Sequence, residues 1–219
     1  MARAKRRQEI AVIGLGHFGR SVALRLEALG LSVLGIDIDA RMAKDVASDI
    51  SETLILDAND LEALEQADIP AFHTVIVAIG SDFEANALVT SSLKAMGVPY
   101  VISQAKSNRH REILTRIGAD RVIIPDEETG IRLADELSTP GLLYSLPLSA
   151  DYNLIEIKAT EELIGERVEL GDRYNVIILL ILRGTDLIVT PEKDFLIQSG
   201  DILIVLGEKR ALTEFTSKT

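Results

Sequence analysis

The sequence predicts an α/β protein in two parts, a doubly wound parallel sheet followed by a small α+β domain, and three observations carry that prediction. Short apolar segments alternate with helix-spaced segments through the first 137 residues, the rhythm of a parallel sheet covered on both faces. The first apolar segment runs into a glycine-rich turn, Gly14-Leu15-Gly16-His17-Phe18-Gly19, and then into a helical repeat. Beyond the break Ser138-Thr-Pro-Gly141 the rhythm changes to strands joined by tight turns.

In order, Glu9–Ile13 reads as a strand, and Phe18, Val22, Leu26 and Leu29 fall at helical spacing up to a C-capping Gly30. Leu31–Ile38 is a second strand, Arg41–Ile50 a helix, Thr53–Leu56 a third strand and Leu61–Ala67 a helix. Thr74–Ile79 is wholly apolar after its first residue, as a strand buried on both faces should be. Helix Asp82–Met96, strand Tyr100–Ile102, helix Arg109–Ile117, strand Arg121–Ile124 and helix Glu127–Leu137 follow. The second domain reads as strands Leu154–Ala159, Asn175–Leu182, Asp186–Thr190 and Asp201–Leu206 with turns at Arg183-Gly-Thr185 and Gln198-Ser-Gly-Asp201, then a helix over Arg210–Phe215. The expected domains are 1–140 and 141–219; the second is small enough that dimerisation would help its core.

Composition removes several functions. Of 219 residues 47% are apolar, enough for packed cores, and only 4% are aromatic, too few for base-stacking platforms. The formal charge of −11, with acid in excess in both halves, argues against nucleic acid as a partner. Cysteine is absent, which excludes disulfides, thiolate nucleophiles and Cys-ligated zinc and suits a reducing cytoplasm. The longest apolar run, Val176–Leu182, falls far short of the roughly 20 residues of a membrane span. The opening Met1-Ala-Arg-Ala-Lys-Arg-Arg7 lacks the apolar stretch of a signal peptide; it reads as a frayed terminus or an arm for an anionic surface.

The glycine turn carries the chemistry. Gly14 permits the tight strand-to-helix turn, Gly16 lets backbone N–H groups approach phosphate, and Gly19 lets the helix lie close on the sheet. The helix N-terminus adds partial positive charge, so Leu15, His17 and Phe18 present their backbone to an anion. Asp37 closes the second strand, where a carboxylate accepts ribose hydroxyls, with Ile38 beside it; no arginine follows at once to take a 2′-phosphate. Asp57 and Ala58, after the third strand, meet the adenine edge; Ala78-Ile79-Gly80, after the fourth, lets backbone come near the ligand. Asp126 in Asp126-Glu-Glu128 reads either as a solvated helix N-terminus or as a group facing the phosphates, directly or through a divalent or monovalent cation. This is a Rossmann-type nucleotide-binding domain.

A dehydrogenase needs an acid or base beside the transferred hydride. His17 lies inside the phosphate loop, His73 precedes the fourth strand and His110 begins a helix, positions that suit structure or surface better than catalysis. The sequence therefore reads as a binding protein, with a small NAD-dependent oxidoreductase as the alternative.

The runs Ile10–Gly19, Gly35-Ile-Asp37, Val75–Gly80 and Ile117–Val122, followed by Leu163-Ile-Gly165, Asn175–Gly184 and Ser199–Val205, resemble the RCK (regulator of potassium conductance) family, in particular its KtrA/TrkA-type cytosolic subunits. The resemblance spans nearly the whole chain. It implies a non-catalytic, cytoplasmic regulatory subunit, a homo-oligomer arranged as an octameric ring of dimers beneath a membrane potassium-translocating subunit of the KtrB/TrkH type. It implies ATP/ADP in the crevice, NAD or NADH in some relatives, and cyclic di-AMP at the C-terminal module of others, for which Asn175 is the candidate contact. Two departures bear on the ligand: relatives often carry Arg where this chain has His17, and Lys where it has Gln104. Their loss implies a narrowed preference for ATP over ADP unless a metal ion at Asp126 or a protonated His17 supplies the missing charge.

Overall fold

A computed structural model describes residues 9–217; the basic stretch 1–7 lies outside the described residues. By their contacts the residues form two compact units, Met1–Glu127 and Glu128–Thr219. The first contains β1 (Glu9–Ile13), α1 (His17–Ala28), β2 (Ser32–Asp37), α2 (Ala40–Lys44), β3 (Glu52–Ile55), α3 (Leu61–Gln66), β4 (Thr74–Val77), α4 (Phe83–Ala95), β5 (Tyr100–Gln104), α5 (Asn108–Arg116) and β6 (Arg121–Ile123). Its strands run parallel in the order β3-β2-β1-β4-β5-β6, so the chain reverses its direction of travel across the sheet at β1 and β4, where a crevice must open.

Alternation along the strands builds a core on each face. Ala11, Ile13, Val75, Val77 and Val101 pack with Leu64, Val89 and Leu93 on one side, and Val12, Val33 and Ile76 with Ala23, Val46 and Ile50 on the other. Each large side chain so buried contributes about 1.5–3 kcal/mol. Four helices, α2 to α5, start on side-chain caps: Asp39, Asp60, Asp82 and Ser107 each accept a backbone N–H from the first turn that follows. Helix α2 stops at Lys44, shorter than the expected Arg41–Ile50, because turns carry Val46 and Ile50 into the same core.

The units part within α6 (Pro125–Ser138), earlier than the break at Ser138-Thr-Pro-Gly141 where the sequence reading set the boundary. That break ends a helix, whereas the change of packing partners comes a few turns before it. The second unit continues with β7 (Leu142–Pro147), β8 (Tyr152–Lys158), α7 (Leu170–Arg173), β9 (Val176–Arg183), β10 (Asp186–Val189), β11 (Ile202–Glu208) and α8 (Lys209–Ser217). Its strands form an antiparallel sheet in the order β10-β9-β11-β8-β7. Ile155, Ile157, Leu203 and Val205 alternate inward and pack with Leu212 and Phe215 of α8. In β9 the inward residues are Val176, Ile178 and then Ile181, because the register with β11 shifts between Ile204 and Val205. The shift exchanges the parity that faces inward within the apolar run Val176–Leu182, while Ile177 stays 59% exposed. Asp201, wholly buried, is held by Arg183 through two contacts of 2.8 Å and by the Gln198 N–H at 2.8 Å.

Candidate functional site: a crevice at the glycine turn

The carboxyl ends of β1, β2, β4 and β5 open onto a cavity of about 910 Å³, large enough for a small-molecule ligand. The glycine turn forms its floor, and its three glycines do different work. Gly14 has φ +94°, and a Cβ there would lie 2.8 Å from the carbonyl oxygen of Ala78. A Cβ on Gly19 would overlap the carbonyl oxygen of Gly14 and press on Ala78, so α1 owes its closeness to the sheet to that missing atom. Gly16 differs: a Cβ there would meet nothing within 4 Å. Gly16 is the N-cap of α1, in extended conformation, and no side chain caps the helix. The first N–H groups of α1 therefore face the cavity without a side-chain acceptor, the arrangement in which a helix N-terminus takes an anion.

Asp37 holds this turn in place. One carboxylate oxygen accepts the Leu15 N–H at 2.7 Å and the other the Asp39 N–H at 2.8 Å, which leaves lone pairs for hydroxyl donors. Asp57 accepts the Asn59 backbone and side-chain N–H at 2.9 and 3.0 Å, and Asp82 caps α4 through Ala85. Beneath the far wall the buried Asn86 donates to the carbonyls of Ile79 and Gln104 at 2.9 and 3.0 Å, clamping the ends of β4 and β5 together. The Gln104 carboxamide lies over Gly80, where a Cβ would come within 2.9 Å of Nε2.

Most residues expected at the site line this one cavity: Gly14, Gly16, His17 and Phe18 from the turn, Asp37 and Ile38 after β2, Asp57 and Ala58 after β3. Ala78, Ile79 and Gly80 after β4, Gln104 at the end of β5 and Asp126 at the start of α6 complete the set. Leu15 and Gly19 do not line it. Leu15 is 1% exposed, its side chain in the core and only its N–H engaged, by Asp37; Gly19 is sealed beneath Gly14. Asp126 has no metal-binding company, since among the described residues no three His, Cys, Asp or Glu side chains gather closely enough to hold an ion. His110 stacks on Phe83 with ring centroids 3.9 Å apart, and His73 approaches the Thr74 hydroxyl at 3.2 Å.

Several lining residues were not read from the sequence, among them Ser21, Met42, Asn59, Ser81 and Lys106. Asn59, Ser81 and Lys106 sit in turns, and Ser21 and Met42 within α1 and α2.

Asn175 lies in the second unit, in left-handed conformation with φ 54° immediately before β9, a conformation Asn tolerates better than most residues. It lines a separate cavity of about 500 Å³ with Tyr152, Tyr174, Glu208, Arg210 and Glu214. Arg210 is already 3.4 Å from Glu214, so this lining offers a phosphodiester such as cyclic di-AMP no excess of positive charge.

Comparison with known proteins agrees with this layout. The TrkA-N domain family matches residues 10–125 and the TrkA-C domain family residues 154–219. Ktr system potassium uptake protein A of Bacillus subtilis (strain 168) is 33% identical over 221 residues, covering 100% of this chain and 99% of the relative. Protein C of the same system and organism is 34% identical over 215 residues, covering 97% of each. A solved structure of the GsuK channel bound to NAD superposes with a TM-score of 0.64 at 17% identity, covering 96% of this chain and 39% of that one. Among the described residues no helix is long and apolar enough to cross a membrane.

Proposed function

Because the chain belongs to the TrkA-N/TrkA-C family of RCK-type regulators, we propose that it is the nucleotide-sensing regulatory subunit of a potassium-uptake system. The observation that carries this reading is the cavity of about 910 Å³ built on Gly14, Gly16 and Asp37, in a chain that matches Ktr system proteins end to end. An adenine nucleotide, ATP or ADP, would lie with its ribose on Asp37 and its phosphates on the uncapped N-terminus of α1. NAD or NADH shares the same adenosine half, and a structure with NAD is known for a channel of this fold. A divalent cation would be held jointly by phosphate oxygens and Asp126, in the way magnesium is commonly bound.

The bound nucleotide acts by linkage: it shifts the assembly only by its differential affinity for two conformations, and that difference is transmitted to a KtrB/TrkH-type membrane subunit at the cytoplasmic face. A homo-oligomeric ring, octameric in its full form, is the assembly we propose. Apolar surface in the second unit supports it: α6 has no buried residue and exposes Leu133 and Leu137 on one face, the latter to 79%, and Ile131 on another, surface suited to burial against a second copy.

The decisive experiment is calorimetric titration of the purified chain with ATP, ADP, NAD and NADH, alongside potassium flux through the reconstituted membrane subunit with and without the chain. Binding of at least one nucleotide and nucleotide-dependent flux are expected. Turnover of hydroxy-acid or aldehyde substrates with NAD, without any effect on flux, would refute the regulatory reading. Light scattering should give a multiple of the monomer mass, and a monomer at micromolar concentration would refute the ring.

A further inference from the structure

We propose that Lys106 reads the distal phosphates of the bound nucleotide and so sets the difference in affinity between a nucleoside triphosphate and a diphosphate. The inference rests on the nucleotide reading of the crevice given above.

The crevice is ordered along the sheet. Asp37 and Asp57 stand at the ends of β2 and β3, Gly14 and Gly16 after β1, and Gly80, Gln104 and Lys106 after β4 and β5. With ribose at β2 and the first phosphates at β1, a lengthening phosphate chain advances toward β4 and β5. Neighbouring strands are about 4.8 Å apart, so the end of β5 lies about 10 Å from the glycine turn. A lysine in the turn after β5, on its flexible four-carbon stem, bridges much of that distance.

Charge makes the same point. Four carboxylates line the cavity, Asp37, Asp57, Asp82 and Asp126, and Lys106 is the one Lys or Arg among its described lining residues. The first three accept backbone N–H groups; Lys106 forms no ion pair among the described residues and is exposed. It also lines a side cavity of about 200 Å³ that shares Gly80 and Gln104 with the main one and contains no carboxylate. A distal phosphate directed there meets an ammonium group; directed toward Asp126 it meets like charge. The expectation of a narrowed ATP preference rested on His17 and Gln104, and at the second of these the uncharged carboxamide covers Gly80. The charge sought there is carried two residues later.

The test is calorimetric titration of the full chain with ATP, ADP and AMP without magnesium, for the unaltered protein, Lys106→Gln and Lys106→Arg. Circular dichroism should be unchanged in both variants, since Lys106 is exposed and forms no ion pair among the described residues. Lys106→Gln should weaken ATP by about ten- to a hundredfold, the value of one charge-assisted hydrogen bond, weaken ADP less and leave AMP unchanged. Lys106→Arg should bind ATP within a few-fold of the unaltered chain. An equal loss for all three nucleotides, or undiminished ATP affinity in Lys106→Gln, would overturn the assignment while leaving the crevice as the nucleotide site. Failure of the unaltered chain to bind any nucleotide would overturn both.

Discussion

Gly16 and Gly19 lie three residues apart in the same turn, yet substituting them should damage different properties. Valine at Gly16 places its Cβ where nothing lies within 4 Å, at an N-cap whose φ of −62° and ψ of −173° suit an L residue. The cost is that of a poor cap, about 1 kcal/mol. Alanine at Gly19 drives a methyl group into the Gly14 carbonyl and Ala78, and relief requires α1 to move off the sheet. Overpacking costs about 1–3 kcal/mol, and with backbone as the obstacle the upper end applies. For a chain of this size about 2–4 °C accompanies each kcal/mol, so the ligand-free midpoint should fall by roughly 2–4 °C in Gly16→Val and by roughly 6–12 °C in Gly19→Ala. ATP at a hundred times its dissociation constant stabilises the unaltered protein by about 2.7 kcal/mol. If Gly16→Val weakens binding a hundredfold, the same concentration contributes only about 0.4 kcal/mol, a shift near 1 °C. Thermal unfolding with and without ATP measures both quantities. A full ATP shift in Gly16→Val, or a ligand-free loss as large as that of Gly19→Ala, would refute this division of labour.

Asp37→Ala should weaken nucleotide binding by about ten- to a hundredfold. It should also cost about 1 kcal/mol without ligand, because the Leu15 and Asp39 N–H groups lose their acceptor; titration and denaturation separate the two effects. Asp126→Ala should reduce the magnesium-dependent part of ATP affinity without lowering magnesium-free affinity, and an equal loss in both would exclude a shared cation. In the second unit, burial pushes the Asp201 carboxyl up, but the Arg183 guanidinium and the Gln198 N–H outweigh it and hold the group below its ordinary 3.8. Its stabilisation is complete above 3.8 and is lost as pH falls through the lower folded value. Asp201→Asn should cost about 3 kcal/mol at neutral pH and flatten the acid limb of the unfolding curve, whereas an unchanged acid limb would remove Asp201 from the account.

Patterns that repeat were legible in the sequence, and contacts between distant residues were not. The parallel sheet could be read because Val75–Val77 is wholly apolar, its neighbouring strands have apolar centres, and each is followed by a helical repeat. Strand β7 escaped notice: Leu142–Pro147 ends on proline, is mostly exposed and presents no alternation. The glycine turn and Asp37 were legible because their spacing follows the pattern of a strand–turn–helix phosphate site, and the structure brings them to one cavity. The bond from the Leu15 N–H to Asp37 spans 22 residues, and only the pairing of β1 with β2 brings it about. Asn86 lies on a helix with nothing in its neighbourhood to mark it, yet it joins two strand ends. Lys106 was passed over for a related reason: a turn has no period, so a charge displaced by two positions leaves no trace in a pattern.

The fixed attachment of Asp37 to the glycine turn determines what kind of signal the crevice can report. Since the carboxylate holds the Leu15 and Asp39 N–H groups without a ligand, the proposed adenosine end would be a finished mould, the same for every adenine nucleotide. Occupants that share that end exclude one another. Once their combined concentration exceeds their dissociation constants, the fraction of sites holding each depends on their ratio and no longer on their total. If the proposed nucleotide reading holds, a protein so built would act as a gauge of energy charge, steady against dilution of the nucleotide pool and responsive when the balance within it turns.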